Sequence, residues 1–198
     1  RKQREEELRR QREEELRIQK EEEEESRKRK EEWSRIWNQF LDSLKIRGLL
    51  GSASSGDTKI TNTSFYMIWK NYGVGTSQTS YKAKFSSKKV SEMTYSTTDL
   101  SYTYGENWTA TVGVGNVIGG RGEITSGSSG LKYDTTDVSG FGLFGIFGME
   151  WDRIEGLVGL RYDNVKYSGF SSKNSLQTVL DSSEESLSGI QLIFGVGF

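Results

Sequence analysis

The chain has 198 residues, carries 27 Lys+Arg against 28 Asp+Glu, and contains no cysteine, histidine or proline. Its length accommodates one ordinary domain with an extension, and its net charge of −1 excludes an electrostatic attraction for nucleic acid. The absence of cysteine excludes disulfides and thiolate metal sites. No apolar run approaches the roughly 20 residues that a membrane-spanning helix requires. A membrane crossing would therefore use strands, in which only alternate residues face lipid.

The first part of the chain is a charged segment without glycine, because all 23 glycines lie in residues 48–198. Residues 2–9 recur almost unchanged at 10–17. The repeat and the segment after it place acidic and basic residues four apart, which stabilises an exposed helix slightly at each pair: Glu5–Arg9, Glu6–Arg10, Glu13–Arg17, Glu24–Lys28 and Glu25–Arg29. Residues 1–32 are predicted to form an ion-paired helix, which is either a solvated charged helix or a rigid spacer.

Residues 33–47 are predicted to continue as an amphipathic helix, which Gly48 and Gly51 end. Its apolar residues recur at helical spacing and form one docking stripe: Trp33, Ile36, Trp37, Phe40, Leu41 and Leu44. The stripe needs a partner, and three alternatives are open. These are the same stripe in another copy, the rim of a barrel, or a membrane interface, where Trp is favoured.

Residues 48–198 show the alternation of β-strands, with apolar and aromatic side chains on one face and glycine, hydroxyl or charged side chains on the other. The last strand, 189–198, places five apolar side chains on one face: Ile190, Leu192, Phe194, Val196 and Phe198. The same alternation predicts further strands, at 61–69, 94–104, 107–118, 138–151 and 154–167. Tight turns are predicted at 105–107 and 152–153.

Two further strands carry weaker patterns. One is predicted at 73–86 after a turn at 70–72, with an outer face that includes Tyr81, Ala83 and Phe85. The other is the first strand, at about 45–54. Together they bring the count to eight, and six strands per chain, with a barrel completed by other copies, is the competing topology.

The closing strand resembles that of bacterial outer-membrane β-barrels, which ends in Phe with apolar residues at every second position, as Phe194, Val196 and Phe198 do here. The resemblance is to the small OmpA/OmpX/OmpW-type barrels and covers residues 48–198, whereas the helix has no counterpart in them. It implies an all-β antiparallel transmembrane barrel, preceded here by a long N-terminal α-helix. It also implies that Phe194, Val196 and Phe198 are a signal read by the barrel-assembly machinery.

The same resemblance implies an orientation in the bacterial outer membrane. Barrels of this family have short periplasmic turns and longer outer loops, and long polar connections are predicted here at 119–136 and 169–185. An even strand count places both chain ends, and therefore the helix, in the periplasm. An outer-membrane location also implies that an export signal has been removed.

The two faces of the strands indicate a lipid side and an enclosed side. Tyr104, Trp108 and Trp151 lie near strand ends, which suits the aromatic girdle of a membrane barrel. The enclosed side carries glycine, which suits a narrow lumen, and one group of charges: Asp99, Glu150, Glu155, Arg161 and Asp163. These charges are predicted to pair with one another, since an unpaired buried charge costs several kcal/mol. A selectivity filter or proton path is the functional alternative.

The sequence predicts a structural protein that is not an enzyme and has no cofactor or metal site. Enzymes among small outer-membrane barrels rely on an essential histidine, and this chain has none. The leading prediction is a barrel that anchors a helical rod in the periplasm, in contact with outer-membrane lipid. Residues 1–47 would present the rod to a periplasmic protein or to another copy. The alternatives are a narrow, porin-like pore for small solutes and surface binding through the loops at 119–136 and 169–185.

Overall fold

A computed structural model describes residues 2–55, 57–85, 89–125, 132–172 and 184–198. The chain divides into two compact units, Arg1–Ser43 and Leu44–Phe198. The first unit is a single helix, α1 (Lys2–Asp42). Among the described residues, no helix combines the length and apolar character that a membrane crossing requires.

Helix α1 is held by exposed ion pairs of the kind that its sequence predicts. Lys28 Nζ lies 3.1 Å from Glu24 Oε1, and Arg29 Nη2 lies 3.4 Å from Glu25 Oε2. The hydrogen bond from Lys28 lowers the pKa of the Glu24 carboxyl below its ordinary value. Such pairs contribute little individually in water, so the helix depends on their repetition and on the absence of glycine and proline.

Strand β1 (Leu44–Ser55) begins four residues before the predicted start of the barrel at 48, although only one residue before the first strand predicted at about 45–54. Helix α1 ends at Asp42, and Leu44 begins strand β1. The predicted 33–47 helix and 48–198 barrel are therefore wrong at their shared edge, and Leu44 does not belong to the helical stripe. The cause is tertiary, because Leu44 pairs with Trp69 at the start of a complete β-ladder. Such a ladder outweighs local helix propensity.

The second unit is a closed antiparallel barrel. Its strands are β1 (Leu44–Ser55), β2 (Thr58–Trp69), β3 (Tyr72–Phe85), β4 (Lys89–Tyr104), β5 (Trp108–Thr125), β6 (Lys132–Thr135), β7 (Asp137–Trp151), β8 (Ile154–Ser168), β9 (Ser171–Ser172) and β10 (Glu185–Gly197). Eight of them close the barrel in the order β1, β2, β3, β4, β5, β7, β8 and β10, and the short strands β6 and β9 extend the sheet beside β5. This architecture confirms the predicted eight-stranded barrel preceded by a helix.

One chain closes the barrel by itself. The first and last strands pair from Arg47↔Gly197 to Ser52↔Leu192, and Ile46 and Phe198 exchange backbone hydrogen bonds of 3.0 and 2.9 Å. The competing topology, six strands completed by other copies, is therefore excluded. A barrel of eight strands has an interior just wide enough for side chains to fill.

The two ends of the barrel differ in their connections. At one end, here called the short-turn end, the strands are joined by residues 70–71, 105–107 and 152–153. Lys70 and Asp152, the first residues of the two-residue turns, have φ values of 57° and 60°. Both chain ends of the barrel, Leu44 and Phe198, lie at this end, because Leu44 pairs with Trp69 and Phe198 with Ile46.

At the opposite end, here called the loop end, only two of the four connections are long. The β1–β2 and β3–β4 connections span residues 56–57 and 86–88. Strand β5 continues to Thr125, so the loop predicted to begin at 119 begins later. Residues 126–131 and 173–183 of the two predicted loops lie outside the described residues.

The outer face predicted for β3 is wrong. Ala83 is buried inside the barrel, and Tyr81 packs against an interior cluster of apolar side chains. The tight turn from β2 determines which alternate residues of β3 face outward. It pairs Trp69 with Tyr72 and places both on the exterior. A shift of one residue in register exchanges the two faces of a strand, and the weak local pattern of β3 does not reveal which register applies.

Candidate functional site: two arginine bridges across the barrel interior

Strand β8 shows how the interior is layered. Its inward residues alternate strictly with outward ones, and charged and apolar side chains follow one another from the short-turn end to the loop end: Glu155, Leu157, Gly159, Arg161, Asp163, Val165 and Tyr167. The neighbouring strands continue these layers. Each ionic layer is therefore separated from the next by apolar packing.

Arg161 forms the central bridge of the lumen. It is fully buried, at 0 % exposure, and its guanidinium donates to Asp99 Oδ2 at 2.7 Å and to Asp163 Oδ1 at 2.9 Å. It also donates to Ser77 Oγ at 2.9 Å. Ser77 lies on β3, which is diametrically opposite β8 in the eight-strand order. The side chain of Arg161 therefore spans the whole lumen.

The two carboxylates beside Arg161 are satisfied by neutral donors. Asp99 accepts hydrogen bonds from the Tyr66 hydroxyl at 2.8 Å and from Thr97 Oγ1 at 2.7 Å. Asp163 accepts from the Tyr95 hydroxyl at 2.9 Å and from Gln191 Nε2 at 3.0 Å. One arginine thus faces two carboxylates, and the hydroxyl and amide donors stabilise the excess negative charge. Buried charge is tolerated only when it is paired and hydrogen-bonded in this way.

Arg47 forms a second bridge nearer the short-turn end. Its Nε and Nη2 donate to the two oxygens of Glu155, each at 2.7 Å, in the bidentate geometry that favours arginine over lysine. Its Nη1 donates to Thr111 Oγ1 at 2.6 Å. Thr111 lies on β5, which is diametrically opposite β1. Arg47 is 1 % exposed, so this layer also excludes solvent.

The five predicted lumen charges do not form one network. Asp99, Arg161 and Asp163 meet in the central layer, and Glu155 belongs to the second layer with Arg47. Glu150 lies outside both, since its side chain is 31 % exposed and its Oε2 contacts Lys45 Nζ at 2.5 Å near the short-turn end.

Sequence reasoning misses the arginine of the second layer and most of the neutral donors. The helical pattern includes Arg47 in the helix, although in the strand predicted at about 45–54 this residue lies on the inward-facing side. The inward tyrosines and threonines carry no signal by themselves, because hydroxyl residues also suit an exposed strand face. The missed partners are Arg47, Tyr66, Ser77, Thr109, Thr111 and Gln191.

Glycine provides the room that the central bridge needs. A Cβ atom at Gly115 would collide with Asp99, and one at Gly142 would collide with Asp163 and Arg161. Both glycines face inward on strands that flank the guanidinium. The inner-face glycine that the sequence shows is therefore required by close approach of side chains to the backbone.

Apolar side chains fill the lumen around the bridges. Between the two ionic layers lies a buried cluster of Leu49, Tyr66, Phe144, Ile146, Leu157 and Ile193. Toward the loop end lies a second cluster of Met93, Tyr95, Val117, Ile124, Val165, Tyr167 and Phe170. A cavity of about 280 Å³ is lined only by residues in the loop-end halves of β1, β2, β3 and β10. In the part of the chain that the structure describes, this cavity does not cross either arginine layer.

The exterior carries the predicted aromatic and C-terminal residues. Tyr104, Trp108 and Trp151 are exposed at the short-turn end. Phe194, Val196 and Phe198 are exposed on the outer face of the closing strand. Their predicted roles as girdle and assembly signal follow from these positions only by analogy with other barrels.

No protein-family model and no curated protein matches the sequence. Among solved structures, the chain is similar to the crystal structure of neisserial surface protein A (NspA), with 15 % identity and a TM-score of 0.47. The match covers 78 % of this chain and 94 % of that one.

The class of the protein follows from its own barrel. The barrel is closed, antiparallel and eight-stranded, and it turns large apolar side chains outward from every strand. Each of the eight strands pairs with a neighbour on both sides over at least part of its length. Pairing of this kind satisfies backbone hydrogen bonds within the sheet, which is the condition for a sheet to cross a membrane. The fold is therefore that of an outer-membrane β-barrel.

Replacing Arg161 by Met should destabilise the barrel by about 3–5 kcal/mol, because two buried carboxylates lose their cation. The matched control is Lys82→Met, which removes an exposed cross-strand ion pair with Glu92 and should cost at most about 1 kcal/mol. Urea unfolding, followed by heat-modifiable gel migration, measures both. Equal losses in the two variants would show that the central bridge is not a structural support.

Replacing Gly142 by Ala should lower the free energy of unfolding by about 1–3 kcal/mol, because the new methyl group overpacks the central layer. Gly145 lies on the same strand but faces outward, and a methyl group added there would have no neighbouring atom within 4 Å. Gly145→Ala should therefore change stability by no more than about 0.5 kcal/mol. The same urea titration compares them, and a harmless Gly142→Ala would contradict the packing described above.

Proposed function

We propose that this protein is a structural anchor of the bacterial outer membrane, whose barrel holds the N-terminal helix in the periplasm for contact with another protein. The observation that carries this proposal is the position of β1 and β10. Both chain ends of the barrel lie at the short-turn end, and short turns of outer-membrane barrels face the periplasm. The helix, joined to β1 through Ser43 alone, would then emerge on the periplasmic side.

The described interior supports a structural function over transport. Arg47 and Arg161 each bridge opposite walls of the lumen, and both are almost completely buried. A selectivity filter needs a solvated passage with charges along it, whereas these charges are held in buried ion pairs and hydrogen bonds and are separated by apolar layers. This arrangement favours a closed barrel over a pore.

The helix has the features of a contact element. A helix of 41 residues extends about 60 Å at 1.5 Å per residue. Its stripe leaves Trp33 69 % and Trp37 58 % exposed, and Ile36 and Leu41 are exposed beside them. An exposed apolar face with paired Trp is typical of a surface that is covered by a partner. The partner would be a periplasmic protein or a second copy of the helix.

The orientation is tested with single cysteines, since the chain has none of its own. Ser26→Cys places a thiol on the exposed helix, and Asp57→Cys places one at the loop end of the barrel. A membrane-impermeant maleimide should label Asp57→Cys in intact cells and Ser26→Cys only after the outer membrane is permeabilised. Labelling of Ser26→Cys in intact cells would refute the periplasmic position of the helix.

The contact is tested on the stripe itself. Trp33→Glu combined with Trp37→Glu should abolish cross-linking of the helix to its partner while the barrel still migrates as a folded species. Arg35→Glu, on the opposite face of the same helical turn, is the matched control and should leave cross-linking unchanged. A truncation must stop at Ser43, because removing residues 44–47 would also remove Arg47 from the lumen. Unchanged cross-linking in the Trp variant would refute the contact role.

A further inference from the structure

The apolar exterior of the barrel differs in height around its circumference. On β7, outward apolar residues run from Trp151 at the short-turn end to Phe141, and on β5 they run from Trp108 to Ile118 with Asn116 as the exception. Ten residues of a strand tilted by about 40° rise roughly 25 Å, which is the height of the apolar band of a membrane barrel. This side of the barrel matches a full hydrocarbon layer.

The apolar exterior is much shorter on β2, β3 and β4. It stops at Phe65 on β2, at Val74 on β3 and at Leu100 on β4. These residues lie no more than four positions from the aromatic residue at the short-turn end of each strand, which is Trp69, Tyr72 or Tyr104. That distance corresponds to roughly 10 Å. Beyond it, and before the exposed charged residues Lys59, Lys82 and Glu92 nearer the loop end, the exposed outward side chains form a patch that we call the polar wall: Thr61, Thr63, Thr76, Gln78, Thr94 and Thr98.

The polar wall lies at a depth where the rest of the barrel faces hydrocarbon. Gln78 is six residues beyond Tyr72 on β3, and Leu160 is six residues beyond Ile154 on β8, the diametrically opposite strand. Leu160 is exposed and apolar, as a lipid-facing residue should be. Gln78 therefore presents a primary amide where its counterpart presents a leucine.

The amide of Gln78 is the group in this wall with the most hydrogen-bonding capacity left without a partner in lipid. Thr76 Oγ1 donates to the Thr97 carbonyl at 3.0 Å, so that hydroxyl has a partner within the barrel. The Gln78 amide has two N–H donors and one acceptor, and in the described residues no side-chain hydrogen bond reaches it. A polar group without a hydrogen bond is unfavourable in hydrocarbon.

We propose that the polar wall is the contact face between two copies of this chain in the membrane. A primary amide is complementary to itself, because the N–H of one copy donates to the oxygen of the other across a two-fold axis. Threonine hydroxyls share this property, since each can donate and accept. The six residues of the wall are uncharged, and at its loop-end border Lys82 is paired with Glu92 of the same chain at 3.0 Å. Polar side chains are a known means of holding membrane segments together.

This contact lies on the barrel and does not depend on the helix. It is tested in the full-length chain with Thr63→Cys, whose position pairs directly with Gln78 on the neighbouring strand. Leu160→Cys is the control, on the apolar side of the barrel. It lies six residues from Ile154 at the short-turn end of β8, as Thr63 lies six residues from Trp69 on β2. The two variants are oxidised in phosphatidylcholine vesicles at increasing lipid dilution, and disulfide-linked dimers are measured on a non-reducing gel. Association through the helix would raise the yield of disulfide-linked dimer equally in both variants.

The proposal predicts that Thr63→Cys forms dimers that resist dilution, whereas Leu160→Cys gives only collisional products that dilution removes. Adding Gln78→Leu should weaken the dimer about tenfold in dissociation constant, or about 1.4 kcal/mol, without changing heat-modifiable migration. Gln78→Asn, which keeps the amide, should retain most of the association.

Equal cross-linking of Thr63→Cys and Leu160→Cys would overturn the proposal. The proposal would also be overturned by a protein that is monomeric and inserts better into short-chain than into long-chain lipid, if Gln78→Leu shifted this preference to longer chains. That result would show that a locally thinned bilayer, and not a second copy, meets the polar wall.

Discussion

Burial of Arg47 and Arg161 across the lumen is the constraint on which the rest of the barrel depends. Each guanidinium reaches the wall opposite its own strand, so each fixes the separation of those walls. A buried cation in a narrow, dry interior requires carboxylates and hydroxyl donors at defined positions. It also requires backbone with no side chain beside it, which explains the inward glycines next to Asp99 and Asp163. The apolar cluster around Phe144 and Leu157 then separates the two ionic layers.

This interior bears on function because, in the described residues, both arginines bridge the lumen from wall to wall. Each of the two units, considered by itself, leaves one face poorly matched to its surroundings. Trp33 and Trp37 present apolar surface on the helix, and Gln78 presents an amide on the membrane-facing side of β3. Association would relieve both, one through a helix-borne contact and the other through a second copy in the membrane.

Much of the fold could be predicted because the side chains of a membrane barrel alternate between the lipid-facing and the enclosed side along each strand. The alternation of β8 and β10 is sufficient to place Glu155, Arg161 and Asp163 inside and Phe194, Val196 and Phe198 outside. Where the alternation is weak, as on β3, the sequence pattern assigns Ala83 to the wrong face. The apolar helical stripe runs on into Leu44, and this obscures the first strand and with it Arg47. Both errors arise where the local pattern is weak or overlaps another, so that pairing with a neighbouring strand decides the structure.

By itself, the sequence determined that the chain is a charged helix followed by a glycine-rich barrel whose strands have one apolar and one polar face. These properties depend only on the spacing of residues along the chain. Only the tertiary structure decided which charges meet. Glu150 and Glu155 are both inward and five residues apart, yet Glu150 contacts Lys45 at the rim and Glu155 contacts Arg47 in the core. The stagger of the strands around the barrel sets these partners. This stagger depends on how the strands close into a barrel, so the sequence of a single strand does not determine it.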